Sequence, residues 1–387
     1  MTPTSFARRA PVTVVGGSAT GLYTATLLAE AGRAVTVLEG AEEYAPDART
    51  LIVTRRMKDL PGGPGDQSIV NVINRFELIT EGRTATVELD QPDLVIERTT
   101  LLHGMVERAR ARGVDVQMGS RLQTLRANGT GGVTLEVGSN GSTRDVVART
   151  VVGADGTFSR VARAAGWPPP ETVPLIQAIV RLPEDLPADT TRVWFHPEDT
   201  PYFYWLIPES AERGALGLIG EDGHAARRCL ERFLARHQLE PLEFQAARIP
   251  CYRRWLEPQR RLGDADIYLV GDAAAHVKVT TVGGIVTGFR GALGVAESIL
   301  HGRTTALRQL KRELDWHRLL RRSLGRFQQA DYELLLDVLN PGSHGVLGTL
   351  TRDEAGRILT RLCLAQPRLI LLALRTLVQP PDRPSTV

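Results

Sequence analysis

Cysteine is scarce in this chain of 387 residues, and the three present, Cys229, Cys251 and Cys363, stand far apart with no C-x-x-C spacing. That scarcity argues against both a cysteine-bound metal and a disulfide framework, and it fits a reducing, cytoplasmic setting. No metal site is expected. An excess of charge of one sign is also missing: 47 Lys and Arg face 44 Asp and Glu, and a net charge of +3 is too small to argue for nucleic acid as a partner. No run approaches the ~18 apolar residues of a membrane span. The opening "MTPTSFARRA" has no apolar core behind its arginines, so a signal peptide is not expected. What remains is the profile of an α/β enzyme, too long for one typical core.

The first apolar run, "VTVVGGSATGLYTATLLAEAGRAVTVLEG" (residues 12–40), reads as strand, glycine turn, helix and second strand. A dinucleotide turn normally follows G-x-G-x-x-G, yet here Gly16 and Gly21 frame Ser18 in the middle position. Gly16 permits the tight turn, and Gly21 lets the helix approach the strand. The middle residue must leave backbone N–H groups free to approach a pyrophosphate. Serine is small and favours a helix N-cap, so the substitution is tolerable. Glu39 ends the second strand, where an acid accepts ribose hydroxyls.

Two later stretches repeat the theme. "TVVGADGTFSRVARAAG" (150–166) is a strand followed by Asp155-Gly156 and an amphipathic helix. "DIYLVGDAAAHVKVTTVGGIVTGFRGALGVAESIL" (266–300) is a strand, a turn holding Asp272, the pair Gly283-Gly284 and a long helix. Asp272 could accept bonds from sugar-like hydroxyls or serve as a helix cap. Asp155 could equally cap the helix that follows it.

In this order and spacing the three motifs resemble FAD-dependent enzymes of the para-hydroxybenzoate hydroxylase fold. The resemblance implies FAD as cofactor, Asp272 on its ribityl chain, and Gly283 and Gly284 near its pyrimidine ring. "ARTLIVT" (48–54) and "VIERTTLLHGMVERA" (95–109) are similar to segments where the family aims an arginine at FAD, which points to Arg49 and Arg98. The implied fold is α/β, a Rossmann-like FAD-binding domain (1–65, 94–172 and 248–300) with an inserted antiparallel α+β substrate part (66–93 and 173–247). A C-terminal helical region spans 301–387.

Alternating stretches in both insertions, "IVNVINRFELI", "TATVEL", "VPLIQAIVRL", "TTRVWF" and "ALGLIG", predict strands of one substrate-side sheet. Among them "PYFYWLIP" (201–208) stands out in a chain only 5% aromatic. Period-two alternation sends Phe203 and Trp205 to one face, Tyr202 and Tyr204 to the other. The segment resembles the pocket motif of the geranylgeranyl reductase branch, an aromatic residue, any residue, Trp, two residues and Pro. That resemblance places Phe203, Trp205 and Pro208 at the substrate, and Tyr204 is assigned with them.

"HVKVTTVGGIVTG" (276–288) is similar to the same branch, with Val279 in place of its proline and Val282 in place of its first glycine. The implied activity is reduction of C=C bonds in an apolar isoprenoid or polyene-type substrate by hydride from reduced flavin. A monooxygenase and a redox-silent, FAD-containing cyclase stand beside it as alternatives. The electron donor, NAD(P)H or ferredoxin, is left open, because a nicotinamide site in this fold has no compact motif. His276 and Lys278 are expected to support the loop. Beyond residue 300, "RQLKRELDWHRLLRRSLGRFQ" and the apolar, arginine-spaced "RILTRLCLAQPRLILLALRTLV" read as a helical cap, with a peripheral membrane contact as the other use of such faces.

Overall fold

The computed structural model describes residues 11–44, 50–60, 65–129, 131–139, 141–339, 348–366 and 368–378. Its first strand, β1 (Val12–Val15), is buried along its whole length and is flanked in parallel by β2 (Val35–Leu38) and β10 (Thr150–Gly153). Valine-rich runs with no polar alternation suit the centre of a parallel sheet covered on both faces. The sheet continues through β6 (Asp115–Gln117) beside β2, and through β17 (Ala265–Leu269) and antiparallel β16 (Gln259–Leu262) beyond β10.

Helices α1 (Ala19–Glu30), α2 (Arg98–Ala111) and α5 (Ile285–His301) cover one face, and their side chains pack with Val12, Val14, Val35 and Val37. Tyr23 of α1 and Phe289 of α5 meet at 4.7 Å between ring centroids. The other face carries a small antiparallel sheet of β7 (Arg121–Asn128), β8 (Gly132–Ser139) and β9 (Ser142–Ala148), together with the short α3 (Arg160–Ala164).

Both predicted insertions do enter a second sheet, of eight strands. Its order is β15 (Pro241–Pro250), β11 (Thr172–Arg181), β14 (Arg213–Ile219), β13 (Tyr204–Pro208), β12 (Thr190–Trp194), β4 (Ile69–Thr80), β5 (Arg83–Glu97) and β3 (Thr50–Val53). The insertions meet where β12 pairs in parallel with β4, Thr190 opposite Arg75. The sheet therefore runs past the expected limits of 66–93 and 173–247: β3, the end of β5 and the end of β15 also belong to it. One face is covered by α4 (Gly223–Arg236), and the other faces a cavity.

The C-terminal helices α6 (Thr305–Leu324), α7 (Gln329–Leu339) and α8 (Ala355–Ala365) close over that cavity, and α9 (Arg368–Val378) packs behind them through Leu369 and Leu372. The apolar stretch 357–378 is thus two helices, interrupted ahead of Pro367 in the sequence, where the chain cannot continue an unbroken helical ladder. No helix among the described residues is long and apolar enough to cross a membrane.

Candidate functional site

A groove of about 770 Å³ opens at the carboxyl ends of β1, β2 and β10. This is the crevice in which open α/β sheets bind ligands. Gly16, with φ +104°, presses so closely on the Ala154 carbonyl that any Cβ would collide with it. A Cβ on Gly21 would likewise strike the Gly16 carbonyl, so both framing glycines are fixed by contact.

Ser18 is the N-cap of α1. Its Oγ accepts from Gly21 N at 3.2 Å and donates to the Ala154 carbonyl at 3.0 Å. The serine thus fastens helix to strand with its own hydroxyl and leaves the first-turn N–H groups, which lack intrahelical acceptors, to the groove.

Glu39 lies in the groove wall. Its carboxylate accepts from Gly17 N at 2.6 Å and Ala41 N at 2.7 Å, which fixes it in place with lone pairs to spare for hydroxyl donors. Tyr44, which no motif announces, donates to the Gly17 carbonyl at 2.6 Å and also lines the groove. A Cβ on Gly17 would collide with the Tyr44 hydroxyl and lie 3.0 Å from Glu39 Cβ. Arg98 at the start of α2, Asp272 and Gly284 line the far stretch. Arg49 lies outside the described residues. The groove thus offers a helix N-terminus, a fixed acid for a ribose and a second acid farther on, a donor set that fits FAD.

Asp155 has a different part. Its carboxylate accepts from Ser159 Oγ at 2.5 Å and from the N–H groups of Arg160 at 2.7 Å and Val161 at 3.2 Å, so it caps α3. Burial raises its pKa, and these bonds work against the rise. The residue borders the groove, but its charge is spent on the helix.

The second space is a cavity of about 460 Å³ between the eight-stranded sheet and the C-terminal helices. Phe76, Val193, Phe203, Trp205 and Ile207 form its sheet wall. Trp205 lies edge-on to Phe203 at 6.1 Å. Two assignments need correction. Tyr204 is fully buried on the opposite face, stacked on Phe233 of α4 at 4.3 Å, with its hydroxyl donating to Asp199 at 2.9 Å. Pro208 follows Ile207 in β13 and also turns away from the cavity; its carbonyl accepts from Asn71 at 3.0 Å. Strand alternation, which the two residues obey, sets both on the far side. Tyr202 departs from the alternation, because β13 begins only at Tyr204, and it lines the cavity.

Groove and cavity share a wall made by Leu51, Ile249, Val282, Gly284 and Ile285, while Gly283 faces the cavity. Val282 has φ +52°, a conformation that β-branched residues rarely adopt. Beside it, Lys278 N donates to the Gly283 carbonyl at 3.1 Å, closing the loop that leads into α5.

At the helical end of the cavity lies a buried polar cluster. The Lys278 ammonium and the Thr54 hydroxyl both donate to the carboxylate of Asp353, which is inaccessible to solvent. Burial acts to raise the Asp353 pKa, but the Lys278 charge and the two hydrogen bonds outweigh it and hold it far below the usual range. Arg352 pairs with Asp93, Nε to Oδ2 at 2.8 Å. His317 bonds Thr280 at 2.8 Å, and burial, then the Lys278 charge, lower its pKa to about 4. His276 is fully buried against Trp255, outside both spaces, and burial lowers its pKa to about 4. The Lys278 backbone N–H closes the loop on Gly283, while its ammonium reaches out of the loop to Asp353.

The model of a family described as the FAD binding domain matches residues 9–310. The chain is 28% identical over 294 residues to digeranylgeranylglycerophospholipid reductase 2 of Methanopyrus kandleri, covering 71% of this chain and 73% of that protein. Among solved structures, a geranylgeranyl bacteriochlorophyll reductase-like protein from Thermoplasma acidophilum superposes with a TM-score of 0.78 at 18% identity, covering 95% of this chain and 99% of the other. A p-nitrophenol 4-monooxygenase from Pseudomonas putida superposes with a TM-score of 0.63 at 18% identity, covering 95% and 98%. At such identities these two likenesses establish the fold.

Proposed function

The chain belongs to this FAD-binding family, and from that premise we propose that it is an FAD-dependent oxidoreductase that reduces C=C bonds in an apolar, isoprenoid or polyene-type substrate. The observation that carries the reading is the shared wall: an apolar cavity opens against the cofactor groove across Leu51, Ile249, Val282, Gly284 and Ile285. The reductase named among the relatives supports the same reaction class.

When bound and reduced, FAD supplies a hydride for one alkene carbon, and a proton completes the other. The residues of the chain do the rest. Gly16, Ser18 and Gly21 present the helix N-terminus to the pyrophosphate, and Glu39 and Asp272 hold hydroxyls along the groove. Arg98 adds a positive charge near the start of α2. Phe203 and Trp205 orient an apolar chain and, with the C-terminal helices, exclude water.

Helices α8 and α9 leave Leu364 and Leu371 78% and 71% exposed, beside Arg361, Arg368 and Arg375. This supports a peripheral contact with a membrane that holds the lipid substrate.

The test is an anaerobic turnover. Dithionite-reduced protein is mixed with polyprenyl substrates, and flavin reoxidation is followed together with product mass. The expected outcome is reoxidation without oxygen and a product heavier by two hydrogens. Reoxidation that waits for air and adds an oxygen atom would establish a monooxygenase instead. A product of unchanged mass with the flavin still reduced would establish the redox-silent cyclase.

A further inference from the structure

The cavity wall holds three cationic side chains, and they are not equivalent. Lys278 is neutralised by Asp353, and Arg352 by Asp93 at 2.5 Å. His317 is neutral at ordinary pH. Arg321 of α6 is different: among the described residues no carboxylate pairs with it. Its guanidinium donates to the Pro201 carbonyl, lies over the Tyr202 ring at 4.4 Å and stands beside Tyr332, all of them uncharged partners. Arginine keeps its proton in proteins, so Arg321 puts an uncompensated positive charge into a wall whose other described residues are uncharged or internally paired.

An unpaired charge in apolar surroundings is costly, and an anionic ligand removes that cost. Among the described residues of the wall, only this one charge is uncompensated. A diphosphate would bring at least one further negative charge, and among the described residues of the wall no second free cation stands ready to meet it. A carboxylate brings one, and its two oxygens match the planar fork of a guanidinium.

We propose that the molecule taken by this cavity is a monoanionic amphiphile, a polyprenyl or polyene chain ending in a carboxylate, with the carboxylate seated on Arg321. The inference rests on the reading of the cavity as the substrate site and deepens it. Phe203 and Trp205 hold the apolar body, and Arg321 fixes which end enters and how far. Arg321 is therefore a specificity-determining residue, and it takes no part in hydride or proton transfer.

The experiment reads binding without turnover. The FAD-loaded, oxidised protein is titrated with geranylgeranoic acid, geranylgeraniol and geranylgeranyl diphosphate, following flavin absorbance and tryptophan fluorescence. The acid is expected to bind at least about tenfold more tightly than the alcohol, and the diphosphate no more tightly than the alcohol. Arg321→Met should erase the preference for the acid while leaving the alcohol within about twofold, and Arg321→Lys should keep part of it.

Equal binding of acid and alcohol, or tightest binding of the diphosphate, overturns the proposal; so does an equal loss for all ligands in Arg321→Met. If that variant does not fold, the comparison of the three ligands on the parent protein decides alone. Selective acid binding with no alkene reduction in the anaerobic assay would sink the reductase reading and leave Arg321 in its role.

Discussion

Lys278 and Asp353 form an ion pair closed off from solvent, with side-chain exposures of 6% and 0%, and it ties the loop beside the cofactor groove to the segment that starts α8. Removing one member leaves the other charged and buried. Lys278→Met or Asp353→Asn should each cost about 3–5 kcal/mol, whereas a double replacement by Met and Leu should recover most of that loss. Chemical denaturation of the four proteins gives the coupling; simple additivity of the two single losses would show that the pair does not act as a unit.

The two buried histidines predict a pH dependence. His276 and His317 titrate near 4 in the folded chain, below the ~6.5 of an unfolded histidine. The unfolded state therefore binds more protons between these values. Stability should be full above pH ~6.5 and fall as pH drops toward 4, by up to about 3 kcal/mol for each residue. The contribution of Asp353, whose folded pKa is depressed, is lost only at pH below ~4. Denaturant midpoints at neutral and mildly acid pH, with His276→Gln alongside, measure the slope. An unchanged slope in that variant would remove His276 from the account.

Val282 predicts a gain. Glycine adopts φ +52° freely, so Val282→Gly should release strain of roughly 1 kcal/mol or more, offset in part by lost apolar contact with the Phe203 and Trp205 cluster. The wall between groove and cavity should also widen, so bulkier polyenes should be accepted. Thermal melting and a substrate-size series test both. A loss of several kcal/mol, as for an ordinary core truncation, would contradict the strain.

Flavin content tests the groove. Glu39→Arg should yield protein without FAD by replacing the fixed acid, whereas Gly17→Ala, whose Cβ meets the movable Tyr44 hydroxyl, should lower flavin content less. Ser18→Gly should stay yellow, at a cost of a few tenths of a kcal/mol for the cap. Full flavin in Glu39→Arg would refute the ribose assignment.

Neighbours in β13 should behave oppositely. Trp205→Ala should weaken binding of a long apolar ligand by about tenfold or more with FAD retained. Tyr204→Phe should leave that binding unchanged and cost about 1 kcal/mol, the value of the hydrogen bond to Asp199. Isothermal titration of both variants distinguishes the faces.

How much of this was legible in the sequence follows the range of the interactions. Gly16, Ser18, Gly21 and Glu39 belong to one strand, turn, helix and strand, so their spacing carries their roles. Asp272 and the glycine pair were likewise local. The Asp155 carboxylate could be read two ways from sequence; its three bonds show the cap on α3, and it borders the groove as well. Tyr204 and Pro208 followed the resemblance, although alternation already set Tyr204 on the far side. Lys278 and Asp353 are 75 positions apart, and no local pattern joins them. Arg321 sits in a helix so rich in basic residues that its sequence reads as solvated; only the fold turns that one arginine inward.

The parallel pairing of β4 with β12 has a consequence for how the protein is made. Arg75 and Thr190 are 115 positions apart (190 − 75), and the β4–β5 hairpin has no neighbour on that edge until β12 has been synthesised. During translation the Arg75–Ile79 edge of the hairpin must wait without its partner strand. Long-range strand pairing of this kind forms slowly and invites association between nascent chains. Yield in a heterologous host should therefore respond to lower temperature and slower synthesis more strongly than the stability of the finished protein would suggest.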